Sequence, residues 1–325
     1  MLARASSLGF AAVLALTGCD ASDATPNPTV DIGHYPLTLD NCGFAVTVPG
    51  PPQRIVTIKS SATEMVLALG LGDRIVGVGF PDGPVPPEYA AAAAGLPLLS
   101  DRVPAAEVVL EAAPDLVYAG WESNLTGDGA GERETLADLG VATYVSPSAC
   151  TQPAYQPDRL AFEDVFSEIT EVAGLLGVPE AGAELVAAQR AALAEVEPDP
   201  RGLTALWYSS ASDIPFVGGG IGAPQMIMDA VGLTNIAGDV AETWTSLSWE
   251  EVADADPDVI VLVDATWNTA QHKRELLLSN PVTAHLTAVV NQRYLVVPFA
   301  ATEAGVRNVD AAADLAAQLA GLDLG

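Results

Sequence analysis

Short β-rich runs alternate with amphipathic helical runs from residue 54 to residue 297. That alternation confines the chain to layered α/β architecture with mainly parallel sheets. Strands are expected at Arg54–Ile58, Arg74–Gly79, Asp115–Ala119 and Val141–Val145 in the first half, and at Leu203–Tyr208, Asp258–Val263 and Arg293–Val297 in the second. Between the halves, Phe162–Leu176 and Pro179–Val196 read as two helices broken near Gly177-Val178-Pro179. The first carries Phe162, Val165, Phe166, Ile169, Val172, Ala173 and Leu176 at helical spacing. An internal echo supports two related halves: Glu107 stands seven residues before Pro114-Asp115-Leu116-Val117, and Glu250 seven before Pro257-Asp258-Val259-Ile260. Two lobes with a helical connection imply a cleft between them, and small ligands bind in such clefts at strand carboxyl ends.

The amino terminus reads as an export signal. Arg4 precedes an apolar run, Leu8–Leu16, too short to cross a hydrocarbon core of ~30 Å, and Leu16-Thr17-Gly18-Cys19 follows. Cys19 resembles the lipidated cysteine of bacterial lipoproteins; the alternative is an ordinary core cysteine. The polar, proline-bearing stretch after it reads as a tether. The expected organisation is a signal over 1–18, a tether over 19–36, an N-terminal α/β lobe over 37–158, connecting helices over 159–197 and a C-terminal α/β lobe over 198–325. Thirteen Lys plus Arg face 42 Asp plus Glu, a formal net charge of −29, and loss of Arg4 with the signal lowers it to −30. Such acidity disfavours nucleic acid as a partner and repels anionic headgroups, so membrane attachment rests on acyl chains. Cys42 and Cys150 remain in an exported, disulfide-permissive chain, either bridged or as two buried thiols.

Arg54-Ile55-Val56-Thr57-Ile58-Lys59-Ser60-Ser61-Ala62-Thr63-Glu64, then Leu67-Ala68-Leu69-Gly70-Leu71-Gly72-Asp73-Arg74-Ile75-Val76-Gly77-Val78, resembles the opening of the binding proteins for iron–siderophores, haem and cobalamin. The resemblance continues through Glu107–Val117, the central helices and Arg293-Tyr294-Leu295-Val296-Val297-Pro298. It implies two Rossmann-like lobes joined by a long rigid helix, the class III periplasmic binding protein fold, serving an ABC permease and its ATPase; the chain is itself expected to be a monomer without cofactor. Phe80–Pro86, Tyr118–Asn124, Gly222–Met228 and Pro298–Glu303 look most similar to a subgroup proposed to bind the deazaflavin phospholactate precursor of coenzyme F(420). Glu107 and Glu250 match the family's acidic docking positions, one per lobe; Glu251 is a neighbouring alternative, and a solvated acidic helix face is the bland one.

Lys59 directly follows the first strand and Arg307 follows the last. Each is a candidate for an anionic ligand or, equally, for a structural ion pair with one of the many acids; Arg102 is a weaker third. Ser60, beside Lys59, joins the ligand set. Trp121, Trp244 and Trp267, with Tyr155, are candidate aromatic walls, whereas Trp207 and Tyr118 sit inside apolar strand runs and read as core. Gly218-Gly219-Gly220-Ile221-Gly222-Ala223-Pro224 opens a helix as either a plain loop or an anion cradle. His34, His272 and His285 are scattered, so a bare-metal site is not expected. No Gly-x-Ser-x-Gly elbow exists, which argues against a hydrolase; a lipid-anchored scaffold would need no cleft. Siderophore or cobalamin remains the alternative ligand to the small organic anion.

Overall fold

The computed structural model describes residues 34–322. The signal, Cys19 and the tether as far as Gly33 lie outside the described residues. The last positions assigned to the tether belong to the body, because the Tyr35 hydroxyl donates to the carbonyls of Gly174 and Leu175 at 3.0 and 3.1 Å.

A hairpin comes first: β1 (Leu37–Asn41) and β2 (Phe44–Val48) pair antiparallel, with Leu37, Leu39, Val46 and Val48 inward and their neighbours outward. Its two-residue turn, Cys42-Gly43, has positive φ at both positions, 56° and 80°, which gives the turn the twist that paired strands require. This hairpin lies outside the strands expected from the sequence.

The first sheet contains β3 (Ile55–Ile58), β4 (Ile75–Gly79), β5 (Leu98–Ser100), β6 (Leu116–Ala119) and β7 (Ala142–Val145) in the order β5-β4-β3-β6-β7, all parallel. Strands β3 and β6 are buried throughout, as expected of parallel strands covered on both faces. Each fully buried Ile or Val contributes roughly 1.5–3 kcal/mol over exposure. Ile58 is in register with both Gly79 and Ala119. The three central strands therefore end level, and Lys59, Phe80 and Gly120 emerge side by side.

The second sheet runs β11 (Trp244–Ser246), β9 (Phe216–Gly218), β8 (Thr204–Ser210), β12 (Val259–Asp264), β13 (Tyr294–Pro298), with β10 (Thr234–Asn235) beside the start of β8. Strands β8, β12 and β13 are parallel, while β9 and β11 form an antiparallel margin.

The connection departs from a single long rigid helix. Phe162–Leu175 and Pro179–Ala194 are separate helices packed on one another. Gly177 sits at φ 77°, and Pro179, lacking an N–H, occupies the first turn of the second helix. Gly182 permits their contact, since a Cβ there would lie 2.3 Å from that of Ala173. The architecture is two α/β lobes, each built on a mainly parallel sheet, joined by this helix pair.

Candidate functional site

A cavity of about 520 Å³ opens between the two sheets at their carboxyl ends. The first lobe contributes Trp121 after β6 and Ser148–Thr151 after β7. The second contributes Ser209, Phe216, Ile221–Ala223, Thr243, Trp244 and, after β13, Phe299 and Thr302–Ala304. Its walls combine aromatic rings with hydroxyls and two carboxylates, Glu122 and Glu303, and no Lys or Arg lines it. Trp244 stacks on Phe216 with centroids 5.9 Å apart and planes 17° apart, making one flat wall. Glu122 Oε2 accepts from the Thr151 amide at 2.6 Å and its hydroxyl at 2.5 Å, tying the loops after β6 and β7 together. A disulfide joins Cys150, also in the lining, to Cys42 in the hairpin turn, with Cα atoms 5.3 Å apart.

Lys59 does not face this cavity. Its side chain is fully buried and paired with Asp82, whose side chain is 3% exposed. Asp82 in turn accepts from the Ser60 amide at 3.0 Å, while its own amide donates to Ser60 Oγ at 2.9 Å. The ammonium nitrogen lies 3.7, 4.3 and 5.1 Å from the ring centroids of Trp121, Phe80 and Phe299, a cation–π cage closing around the ion pair. Lys59 holds φ 82° to aim inward. Gly120 makes room for it, because a Cβ there would meet Ser61 Oγ at 2.6 Å and Lys59 Cβ at 2.8 Å. The strand order explains the assembly: residues just beyond β4, β3 and β6 are neighbours.

Lys59 and Ser60, expected in the ligand set, lie behind Trp121 and outside the lining of this cavity. Trp121 itself lines the cavity, and its Nε1 donates to Glu303 Oε2 at 2.7 Å, a hydrogen bond between lobes. Burial raises the Glu303 carboxyl above its ordinary range, with Lys59 and the Trp121 bond opposing the rise. Arg307 is likewise not a free cation in the cleft. Its guanidinium pairs with the buried Glu64 of the first lobe and donates to the Pro84 carbonyl at 2.8 Å, so it joins the lobes beside the cavity.

Of the other expected residues, Trp244 lines the cavity. Trp267 stands outside, 62% exposed, edge-on to Phe299 at 5.7 Å. Tyr155 lines an adjoining side pocket and donates to Asp40 at 2.9 Å. Arg102 is exposed and outside the lining, and Trp207 and Tyr118 are core. Three amides of the glycine-rich loop are committed to backbone. The N–H groups of Gly219, Gly220 and Ile221 donate to the carbonyls of Thr243, Val240 and Glu242, and Cβ atoms at Gly219 and Gly220 would strike backbone oxygens at 2.2 and 2.1 Å. Those glycines serve close backbone packing.

Glu107 and Glu250 are both exposed, and each is the second residue of its helix, Ala106–Glu111 and Trp249–Ala255. The neighbour Glu251 is committed locally, accepting from the amide and hydroxyl of the N-capping Ser248 at 2.7 and 2.8 Å. Glu250 is therefore the counterpart of Glu107.

A family model described as periplasmic binding protein matches residues 55–301. The chain is 25% identical, over 96% of its length and 94% of the relative's, to YvrC of Bacillus subtilis, a substrate-binding lipoprotein of an ABC transporter. It is 24% identical to the vitamin B12-binding protein of Vibrio campbellii over 69% of this chain and 74% of that one. Among solved structures, the Fe3+-hydroxamate transport protein of Saccharomonospora viridis superposes with a TM-score of 0.75 at 28% identity, covering 88% of this chain and 99% of the other.

Proposed function

The chain belongs to the periplasmic binding protein family, and on that premise we propose that it is the extracytoplasmic capture subunit of an ABC importer, held to the membrane through lipid on Cys19. It takes a small molecule between its lobes and presents Glu107 and Glu250 to paired cations of the permease. One observation carries the choice of ligand: the cleft is walled by Trp121, Trp244, Phe216 and Phe299 and carries the carboxylates of Glu122 and Glu303, with no Lys or Arg in its lining. The two cations that would have held a phospholactate, Lys59 and Arg307, are engaged by Asp82 and Glu64. An anion entering this cleft loses its hydration without a counter-charge, which is costly. The chemistry instead suits a neutral or cationic ligand with a large apolar body and hydrogen-bond donors. Ferric hydroxamates and corrinoids meet that description, in keeping with the Saccharomonospora and Vibrio relatives; we favour the ferric hydroxamate, because the Saccharomonospora protein is the more similar in sequence, 28% against 24%, and covers more of this chain, 88% against 69%.

The test is tryptophan fluorescence titration, backed by calorimetry, with a ferric trihydroxamate, cyanocobalamin and the deazaflavin phospholactate. Micromolar or tighter binding of the trihydroxamate supports the assignment. Preferential binding of the phospholactate form over its dephosphorylated analogue would overturn it in favour of the deazaflavin reading. Capture and delivery need no bond making, and the fold and family are those of transport binding proteins rather than enzymes.

A further inference from the structure

A second cavity of about 270 Å³ adjoins the main one and shares Ser148, Gln156, Pro157, Leu160 and Ala304 with it. Its floor is Glu168, on the inner face of the Phe162–Leu175 helix and only 4% exposed, and its mouth carries the exposed Asp164 one turn earlier. No Lys, Arg or His lines this pocket. A buried carboxylate on a connecting helix is expensive, and a Leu or Met would have packed there at no electrostatic cost. Glu168 is held in place rather than tolerated: Tyr118, reaching from β6, donates to its Oε1 at 2.8 Å, and Ser146 bonds it from the end of β7. Glu171, one turn on, is held in the same way by Tyr144 of β7 at 2.7 Å.

We propose that this side pocket is a subsite for a primary ammonium arm of the ligand, with Glu168 as its counter-ion and Asp164 at its entrance; this rests on the reading of the main cleft given above. The aromatic cleft holds the bulk of the ligand, and the arm extends beneath Pro147–Ser148 toward the connecting helix. The titratable groups that face Glu168 from the packed elements are the carboxyls of Asp164 and Glu171 on its own helix and the neutral phenols of Tyr118 and Tyr144 from the sheet. None is positive, so an incoming ammonium is the cation that would complete the set. Burial lifts the Glu168 carboxyl to about 7, ahead of the opposing Tyr118 and Ser146 bonds. An ammonium that binds there favours the ionised form, so affinity for the arm rises with pH between 6 and 8 while the amine itself stays protonated.

The experiment compares ferrioxamine B, a linear ferric trihydroxamate with one free primary ammonium, with its N-acetylated form, by calorimetry at pH 6, 7 and 8. Wild-type protein and Glu168→Gln are both measured. The amide keeps the shape and the acceptor for Tyr118 while removing the charge. Wild-type protein should prefer the free ammonium by about ten- to a hundredfold at pH 8 and by less at pH 6, and Glu168→Gln should bind both forms equally at every pH. Equal binding of both forms by wild-type protein, or a preference that survives in Glu168→Gln, overturns the subsite and leaves the main-cleft reading standing. Failure of both complexes to bind overturns the hydroxamate reading and the subsite with it.

Discussion

Replacing Lys59 by Met separates two roles that a cation beside a binding cleft could have. The side chain is fully buried, its carboxylate partner Asp82 is 3% exposed, and Phe80, Trp121 and Phe299 exclude water from the pair. Removing the ammonium leaves a buried carboxylate supported by the Ser60 amide alone. Breaking a buried pair from one side costs roughly 3–5 kcal/mol. For a chain of this size each kcal/mol moves the midpoint by about 2–4 °C, so Lys59→Met should melt roughly 6–20 °C below wild type. Removing both charges in Lys59→Met/Asp82→Leu should recover most of that loss, since an apolar pair of similar volume is often no worse than a buried ion pair. Circular-dichroism melts and urea titrations on the two single variants and the double give the coupling directly. A Lys59→Met protein that melts within 2 °C of wild type while losing ligand affinity would refute the structural role and return Lys59 to the binding set; a double variant no more stable than the worse single would refute the pairing.

Three further outcomes follow from other parts of the molecule. Changing Glu107 and Glu250 together to Lys should abolish uptake by intact cells while solution affinity stays within a few-fold, and lost affinity in the folded double variant would show that these positions belong to the cleft. Because the Cys42–Cys150 bridge spans a sequence separation of 108 residues, Cys42→Ser/Cys150→Ser should lose about 2–5 kcal/mol of stability and weaken ligand binding, since Cys150 lines the cavity; unaltered urea midpoints would contradict this. Burial raises the folded-state Glu168 carboxyl from 4.5 to about 7, so the folded protein binds the extra proton between those values and loses stability as pH rises through that window. In ligand-free protein, Glu168→Gln should gain on wild type by up to roughly 3 kcal/mol between pH 4.5 and 7.5, and stability–pH curves that run parallel for the two proteins would dismiss the shift.

The central strands were legible because buried parallel strands are written as unbroken apolar runs. Ile55–Ile58, Leu116–Ala119 and Val259–Asp264 fall within one or two residues of their expected limits. The β1–β2 hairpin and the β9–β11 margin escaped notice, being short and paired antiparallel. Trp121 and Trp244 were candidates for the cleft because they stand at or near strand ends or in loops; Trp121 follows β6, Trp244 opens β11, and both line the cavity. The fate of Lys59 depended on a partner 23 residues away. Had β3 and β4 been taken as neighbours, the residues just past them, Lys59 and Phe80-Pro81-Asp82, would have been expected to meet. Glu168 left no comparable trace, because in a chain with 42 acids an acid one turn from Glu171 looks solvated until its face is known.

The cleft is furnished by segments that follow strands and by the β9–β11 margin, whereas Glu107 and Glu250 ride on helices that do not line it. With Glu107 and Glu250 docking the permease as proposed, such a division would let selection rewrite what is captured without renegotiating who receives it. A paralogue could acquire a new cargo through substitutions at Trp121, Phe216, Trp244 and Glu303 and still use the same transporter, so one permease could in principle be shared by several receptors of different diet.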